Sequence, residues 1–385
     1  MKTLMVRCVT EVTFQQITGG RSLSFSMDFV NEFSASDSWA ELTNKATIKI
    51  PKNIYVKNKQ NVKIPLGGTQ TEKRISRLFQ RGDAVSISYG YYTYENGKER
   101  LEMSKVFTGY ISGVISKKPV TIECEDNMWL LKQIQCKAQA WPKEKTVEDL
   151  FRQLLSGTSF TVNATTKTTV GNLIIENETV AQLISRLRKD YHLEAYFRGS
   201  ELRIGSLVYI ENEAKKHTFE FQKNIISDNL KYQRRDDVKL SAICKSINLQ
   251  VQTGKTKDGR AKTKNKKLEV LVYSDETGNF KHMEAKNGSF PENIDGERRT
   301  LFIPNAKTVE ELAEAGINEL KKYYYDGFKG DFTTFAIPFV RMGDNVLIND
   351  PILPDRNGLY KVRSVRYTGG VSGHRQIISL DYKIQ

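Results

Sequence analysis

The side chains able to do chemistry in this chain are few and scattered. His192, His217, His282 and His374 fall far apart, with no His-x-x-x-His or His-Glu-x-x-His spacing to set two metal ligands on one helix face. Each reads as a surface or satisfied core histidine. Glu123, Glu125 and Asp126 form the tight acidic cluster, and on a strand Glu123 and Glu125 point to the same side, which suits a solvated or inter-subunit face. A glycosidase pair would need a cleft and two separated pKa values, and the neighbouring sequence supplies neither. Gly370-Val371-Ser372-Gly373 has the outline of a nucleophile elbow. However, His374 stands where the closing spaced glycine belongs, and the context is a strand-rich tail rather than a strand-to-helix turn. Gly67-Gly68 lacks the following helix that would aim a dipole at phosphate. Cys8, Cys124, Cys136 and Cys244 show no Cys-x-x-Cys spacing, so they read as buried thilos of a protein folding in a reducing compartment, not as a zinc site or a disulfide framework. The expectation is a chain without a catalytic residue, cofactor or metal.

The chain instead repeats a turn. Gly82-Asp83-Ala84-Val85-Ser86-Ile87 returns about 260 residues later as Gly343-Asp344-Asn345-Val346-Leu347-Ile348. In each copy Gly supplies the unusual backbone angles and Asp the local hydrogen bond of a tight turn, and an alternating strand follows. A second Gly-led apolar strand comes next, at 107–115 and at 358–365. Gly82, Asp83, Gly343 and Asp344 are therefore the candidate structural turns of a duplicated β unit. Arg81-Gly82-Asp83 matches an integrin-recognition string, but it belongs to this turn, and Met342 replaces the Arg in the second copy.

Charge points to a second feature. The formal net charge is +14, and Lys255, Lys257, Arg260, Lys262, Lys264, Lys266 and Lys267 stand against the single acid Asp258. If this segment met phosphates, binding would depend steeply on salt. Aromatic stacking residues are missing from 253–267, which disfavours single-strand binding, so a solvated or protein-facing loop at the tip of a hairpin is expected.

The elements around these residues divide the chain in three. Residues 1–117 alternate as strands, with Leu4, Val6 and Cys8, then Leu23, Phe25, Met27 and Phe29, then Ala46, Ile48 and Ile50. Glu95-Asn96-Gly97-Lys98 is a hairpin signal. Over 118–205 the period changes: Thr146 to Asp149 and Thr179 to Gln182 open two amphipathic helices, and Arg198-Gly199-Ser200-Glu201 turns a terminal hairpin. Residues 206–385 return to β patterns, with a basic hairpin at 252–268 and an inserted helix at 308–325 opened by Thr308 and Glu311. The predicted fold is mainly β with α+β insertions: two similar β-barrel domains flanking a small α/β domain. No apolar run approaches the ~18 residues of a membrane span, so neither a membrane anchor nor a cleaved signal is expected.

This layout resembles the baseplate hub proteins of phage tails, the family of the late control protein D of temperate phages and the Mu-like tail hub. The stretches that carry the resemblance are Val106-Phe107-Thr108-Gly109-Tyr110-Ile111, then Thr121-Ile122-Glu123-Cys124-Glu125-Asp126 leading to Leu130-Leu131-Lys132, and Phe339-Val340-Arg341-Met342-Gly343-Asp344 with Arg356-Asn357-Gly358-Leu359-Tyr360. The resemblance implies a homotrimer in the virion tail whose six barrels form a pseudo-sixfold ring around a channel. One face would dock on the hexameric tail tube protein and the other on a separate trimeric central spike protein, with the tape measure protein and neighbouring baseplate subunits as further partners. DNA would only pass through. In this frame the segments Tyr89 to Tyr94 and Val346 to Asn349 are expected to lie on outer strands at ring contacts, and the basic hairpin to face neighbouring subunits. The alternatives are a tail-associated cell-wall hydrolase, which would need a further catalytic module, and a nucleic-acid-binding protein using the basic hairpin.

Overall fold

The computed structural model describes the chain except for residues 1–3, 52–54, 59–62, 66–77, 96–97, 118, 143, 166, 171–172, 207, 256–260, 276, 286–288, 293, 295, 304–305, 307 and 385; for 4, 55–58, 63–65, 247–255 and 261–267 it describes backbone alone. Gly67-Gly68 and the Asn96-Gly97 turn lie outside the described residues.

Alternating apolar residues make strands in the amino-terminal part: β1 (Leu4–Gln15), β2 (Ser24–Met27), β3 (Glu32–Ser38), β4 (Lys45–Ile50), β5 (Tyr55–Asn58), β6 (Lys63–Pro65), β7 (Ala84–Glu95), β8 (Lys98–Ile115) and β9 (Val120–Glu125). The middle segment carries β10 (Gln139–Trp141), β11 (Thr161–Ala164), β12 (Leu173–Ile175), β13 (Glu194–Arg198) and β14 (Glu201–Gly205), with helices at Val147–Leu154 and Val180–Tyr191. Both helices begin with reciprocal capping, in which Thr146 accepts from the Asp149 amide and Thr179 from the Gln182 amide. Their apolar stripes pack with Trp141, Ile175, Ala195 and Leu202 into a core of their own.

The carboxy-terminal part adds β15 (Lys216–Glu220), β16 (Ile225–Asp228), β17 (Lys231–Gln233), β18 (Leu240–Lys255), β19 (Ala261–Ser274), β20 (Phe280–Glu284), β21 (Glu297–Phe302), β22 (Gly327–Lys329), β23 (Asp331–Thr334), β24 (Asn345–Asn349), β25 (Gly358–Gly370) and β26 (Arg375–Lys383). Strands β18 to β21 form a separate four-stranded sheet. The helix Val309–Lys321, whose cap Thr308 accepts from the Glu311 amide, buries Leu312, Ala313 and Leu320 with Ala242, Cys244 and Val270 in that sheet's core.

A duplication is visible in the main sheet's connectivity. In the first unit the hydrogen-bonded order is β1-β7-β8-β9-β4-β3, and in the second it is β15-β24-β25-β26-β23-β16. The six strands correspond in chain order as well. Strand β8 shifts register between Ile111 and Gly113 against β9, and β25 shifts at the corresponding place, between Val362 and Ser364 against β26. A β-bulge is a specific local insertion, so its recurrence ties the two units more closely than strand order alone. One strand differs in direction: β1 runs antiparallel to β7, whereas β15 runs parallel to β24.

The two units are not separate barrels. Strand β3 pairs antiparallel with β25, from Ser38 opposite Ser364 to Gly370 opposite Glu32, so a single 15-stranded sheet runs through both. No ring of pairings closes among the described residues. One cluster accordingly holds Phe14, Phe33, Ile48 and Ile122 together with Phe219, Phe332, Val365 and Ile378. Each such side chain fully withdrawn from water contributes roughly 1.5–3 kcal/mol.

Beyond this core, the first half of β1 extends as an arm along β7 and β8. Val6 and Cys8, expected to be buried, are exposed there, because alternation continues past the point where the sheet has another layer to cover it. Phe29 is exposed as well.

His374, in the turn between β25 and β26, is buried in the seam between the units. Its Nδ1 lies 3.0 Å from Gly90 O and its Nε2 2.9 Å from Thr10 Oγ1. Since the carbonyl only accepts, Nδ1 donates to Gly90 and Nε2 accepts from the Thr10 hydroxyl, which is the neutral ring. Burial lowers the His374 pKa, as does the Arg375 charge, while the Gly90 bond partly opposes them. A base held below its ordinary value stabilises the fold above about pH 6.5, and that contribution fades as pH falls below it. Stability measured by urea unfolding should therefore drop as pH is lowered through 6.5 towards 5, and His374→Gln should flatten that part of the profile.

Candidate functional site

Gly82 and Gly343 adopt φ of +92° and +88°, a region that favours glycine. Around them the backbone repeats bond for bond. The Gly82 amide donates to Ile111 O at 2.8 Å and the Ile111 amide to Asp83 O at 2.9 Å; the Gly343 amide donates to Val362 O at 2.9 Å and the Val362 amide to Asp344 O at 2.9 Å. Each turn thus clips onto its neighbouring strand one residue before the shared bulge.

The aspartates complete the clip. Asp83 is buried and accepts from the amides of Ile17, Thr18 and Gln80 and, through both oxygens, from the Arg21 guanidinium at 2.7 Å. Asp344 accepts from the amides of Arg341 at 2.9 Å and Lys215 at 3.1 Å, with His217 Nε2 at 3.1 Å. In both copies the carboxylate ties the residue three positions earlier to a third strand, β1 in one unit and β15 in the other. Burial raises the Asp344 pKa, but the bonds from His217, Arg341 and Lys215 outweigh it and hold the carboxyl below its ordinary value.

An aromatic ring covers each turn. A Cβ at Gly82 would stand 3.1 Å from the Trp129 ring, and one at Gly343 3.6 Å from the Tyr209 ring. Trp129 stacks on Tyr110, while Tyr209 is covered by the Lys361 ammonium at 5.4 Å; Tyr110 and Lys361 occupy matching places opposite Ala84 and Asn345. Lys361 is fully buried and bonds Glu211 Oε2 at 2.9 Å. Trp129 follows its unit in sequence and Tyr209 precedes its own, so the same position is filled from different directions.

The second turn also anchors the middle segment. Arg198 donates to Met342 O at 2.7 Å, Asp37 accepts from the Met342 amide, and Trp39 donates to Tyr209, which donates to Asp381 at 2.6 Å. A cavity of about 440 Å³ lies here, lined by Arg198, Arg203, Lys215, Arg341, Glu213 and Asp344 among others. Among the described residues its lining includes no His or Cys, and Glu213 is engaged with Arg203 and Asp344 as above. These groups suit holding elements together more than moving protons.

The other residues flagged by type do not converge. Glu125 pairs with Lys132 at 2.5 Å, and Asp126 accepts from the amides of Asn44 and Met128; burial raises the Asp126 pKa to about 7. Ser372 lies in the exposed turn before His374. His192 caps the end of the helix Val180–Tyr191 with a left-handed backbone. Among the described residues, no group of three or more His, Cys, Asp or Glu could hold a metal, and no helix is long and apolar enough to cross a membrane.

The basic segment lies in the expected hairpin, whose strands run further toward the tip than the sequence indicates. Pairing of β18 with β19 continues to Lys255 opposite Ala261, so Lys255, Lys262, Lys264, Lys266 and Lys267 are strand residues, while Lys257 and Arg260 lie outside the described residues. The ladder is made by backbone groups, which successive lysines do not interrupt. The expected outer strands are corrected too. Strand β7 lies between β1 and β8, and β24 between β15 and β25, with Tyr89, Val346 and Ile348 in the core, so neither Tyr89 to Tyr94 nor Val346 to Asn349 is a free edge.

Among solved structures, the fold matches the tail protein from Neisseria meningitidis MC58 with a TM-score of 0.54 and 12% identity over 98% of this chain and 97% of that one. It matches the 43 kDa tail protein of prophage MuSo2 from Shewanella oneidensis with a TM-score of 0.52 and 13% identity over 98% of each. The chain has the fold of these tail proteins. No protein-family model and no curated protein sequence matches it. What is shared is therefore architecture rather than a recognisable sequence.

Two outcomes test the turns. Asp83→Ala and Asp344→Ala should each lower the unfolding free energy by about 1–3 kcal/mol, because the backbone amides that each carboxylate accepts from are left without their acceptor. A loss below about 1 kcal/mol in urea unfolding would mean the carboxylates do not hold the turns. Because the Asp344 pKa is depressed, its contribution is present above the ordinary carboxylate value of about 3.9 and is lost as pH falls below it; Asp344→Asn should reduce that acid sensitivity.

Proposed function

We propose that the chain is a structural hub of a phage-type tail baseplate, acting as a homotrimer in the virion tail, assembled in the bacterial cytoplasm. Three copies present six alike sheet units in a ring. One face joins the hexameric tail tube and the other the trimeric central spike, and DNA or cargo passes through the middle. The observation that carries this reading is the repetition of one six-strand order, with the same turn and bulge, within a single chain. A threefold assembly whose subunits each hold two alike units can mate with sixfold and threefold partners. The tail-protein fold supports the same reading.

The proposed role is not enzymatic. Asp83, Asp344, Glu125 and His374 are engaged in structural bonds, which supports a role carried by interfaces. The cationic segment 252–268 meets neighbouring baseplate subunits, since a strongly cationic lumen would retard passing DNA.

Sedimentation of the purified protein should give three times the 44.0 kDa mass of the chain; a strict monomer at high concentration would contradict the hub reading. Replacing Lys262, Lys264 and Lys266 with Glu should lower the yield of assembled baseplates and leave the rate of DNA release unchanged. Normal assembly with slowed release would place the segment in the channel instead.

A further inference from the structure

The seam between β3 and β25 joins unit one to unit two inside a chain, and its counterpart from unit two to unit one has no partner there. The two sides of that missing seam can be located by reading rows across the sheet. In the first unit Val114, Ile122, Ile48 and Phe33 stand side by side, and in the second Val365, Ile378, Phe332 and Asp228 do. Across the existing seam Val365 faces Asp37, four residues after Phe33. The residue four after Asp228 is Tyr232, and the counterpart of Val365 is Val114.

Both places are open sheet edges. Strand β8 has β9 on one side at Gly113, Val114 and Ile115, but its pairing with β7 ends at Tyr110, and among the described residues no strand covers the other side. From Asp228 opposite Phe332 to Lys231 opposite Lys329 the register of β16 carries into β17, although β17 and β22 form their own two-stranded sheet and β16 shifts register between Ile225 and Ser227; among the described residues neither strand pairs on its outer side. Each edge carries large apolar side chains in water: Ile115 is 43% exposed, Ile226 41% and Tyr232 38%. An uncovered edge with exposed apolar residues is a template for another strand. The strand that fits is already defined by the intrachain seam.

We propose that the β16–β17 edge of one chain adds, antiparallel, to the β8 edge of a second copy of this chain, with Gln233 opposite Gly113, Tyr232 opposite Val114 and Lys231 opposite Ile115. The contact is head-to-tail, because the two edges belong to different units, so it builds a ring or a filament rather than a twofold dimer. That the ring closes at three copies rests on the hub reading above; the pairing of these two edges does not.

The test uses the full chain with the exposed Cys8 replaced by Ser. Directly opposed residues of an antiparallel pair bring their Cβ atoms within disulfide reach. Val114→Cys combined with Tyr232→Cys should give, on mild oxidation, reducible dimers and trimers in denaturing gels. Either single variant, or Val114→Cys with Ile226→Cys, should give none. Sedimentation of the same samples separates the two ideas. Trimers by mass without the crosslink would overturn the seam and leave the hub reading standing. A crosslink in a species of another copy number would support the seam and overturn the count, and a monomer without crosslink would overturn both. Ile115→Asp, which leaves the core untouched, should shift the oligomer to monomer with an unchanged circular dichroism spectrum; an unaltered oligomer would also overturn the seam.

Discussion

A buried carboxylate surrounded by backbone amides is the constraint on which this structure depends. An aspartate removed from water is costly unless its oxygens are satisfied, and amides from a turn and from a separate strand satisfy them only when both are in place. Asp83 thereby fixes the turn before β7 to the end of β1, and Asp344 fixes the turn before β24 to the start of β15. The following strands leave each turn in a set register against β8 or β25. The bulges, the aromatic covers and the rows of core residues follow from that register.

The two clips hold third strands that run in opposite senses, which shows what has been kept between the units. Asp83 bonds residues after β1, and Asp344 bonds the residue before β15, so one carboxylate position accepts amides from either direction of approach. The covers vary in the same way, with Tyr110 under Trp129 in one unit and Lys361 over Tyr209 in the other. The buried Lys361 ammonium donates to Glu211 and to the Gly343 carbonyl. The geometry of the turn is repeated while the chemistry around it has diverged.

Local chemistry was legible in the sequence and long-range pairing was not. The Gly-Asp turns and the caps at Thr146, Thr179 and Thr308 depend on residues within a few positions of one another, and their types declare them. The β3–β25 seam joins strands more than 300 residues apart, and alternation says only that each has two faces, not which strand lies beside it; two separate barrels were the natural expectation. Alternation also failed at Cys8, where a strand outruns its core, and at the basic segment, where backbone pairing carries the ladder through lysines. Tyr209 and Lys361 carried no local signal, since each acts through a partner distant in sequence.

One continuous sheet joins two alike units and, among the described residues, leaves two open edges. Hydrogen exchange followed residue by residue, in dilute and in assembled protein, tests it most directly. Amides of β3 and β25 that point into their shared seam along Ser34 to Ser38 and Ser364 to Thr368 should be protected in both states, while the outward-pointing amides among Gly113 to Ile115 and Lys231 to Gln233 should exchange quickly when dilute and slow on assembly. Rapid exchange along β3 and β25 in both states would contradict it, because the two units would then not share a sheet.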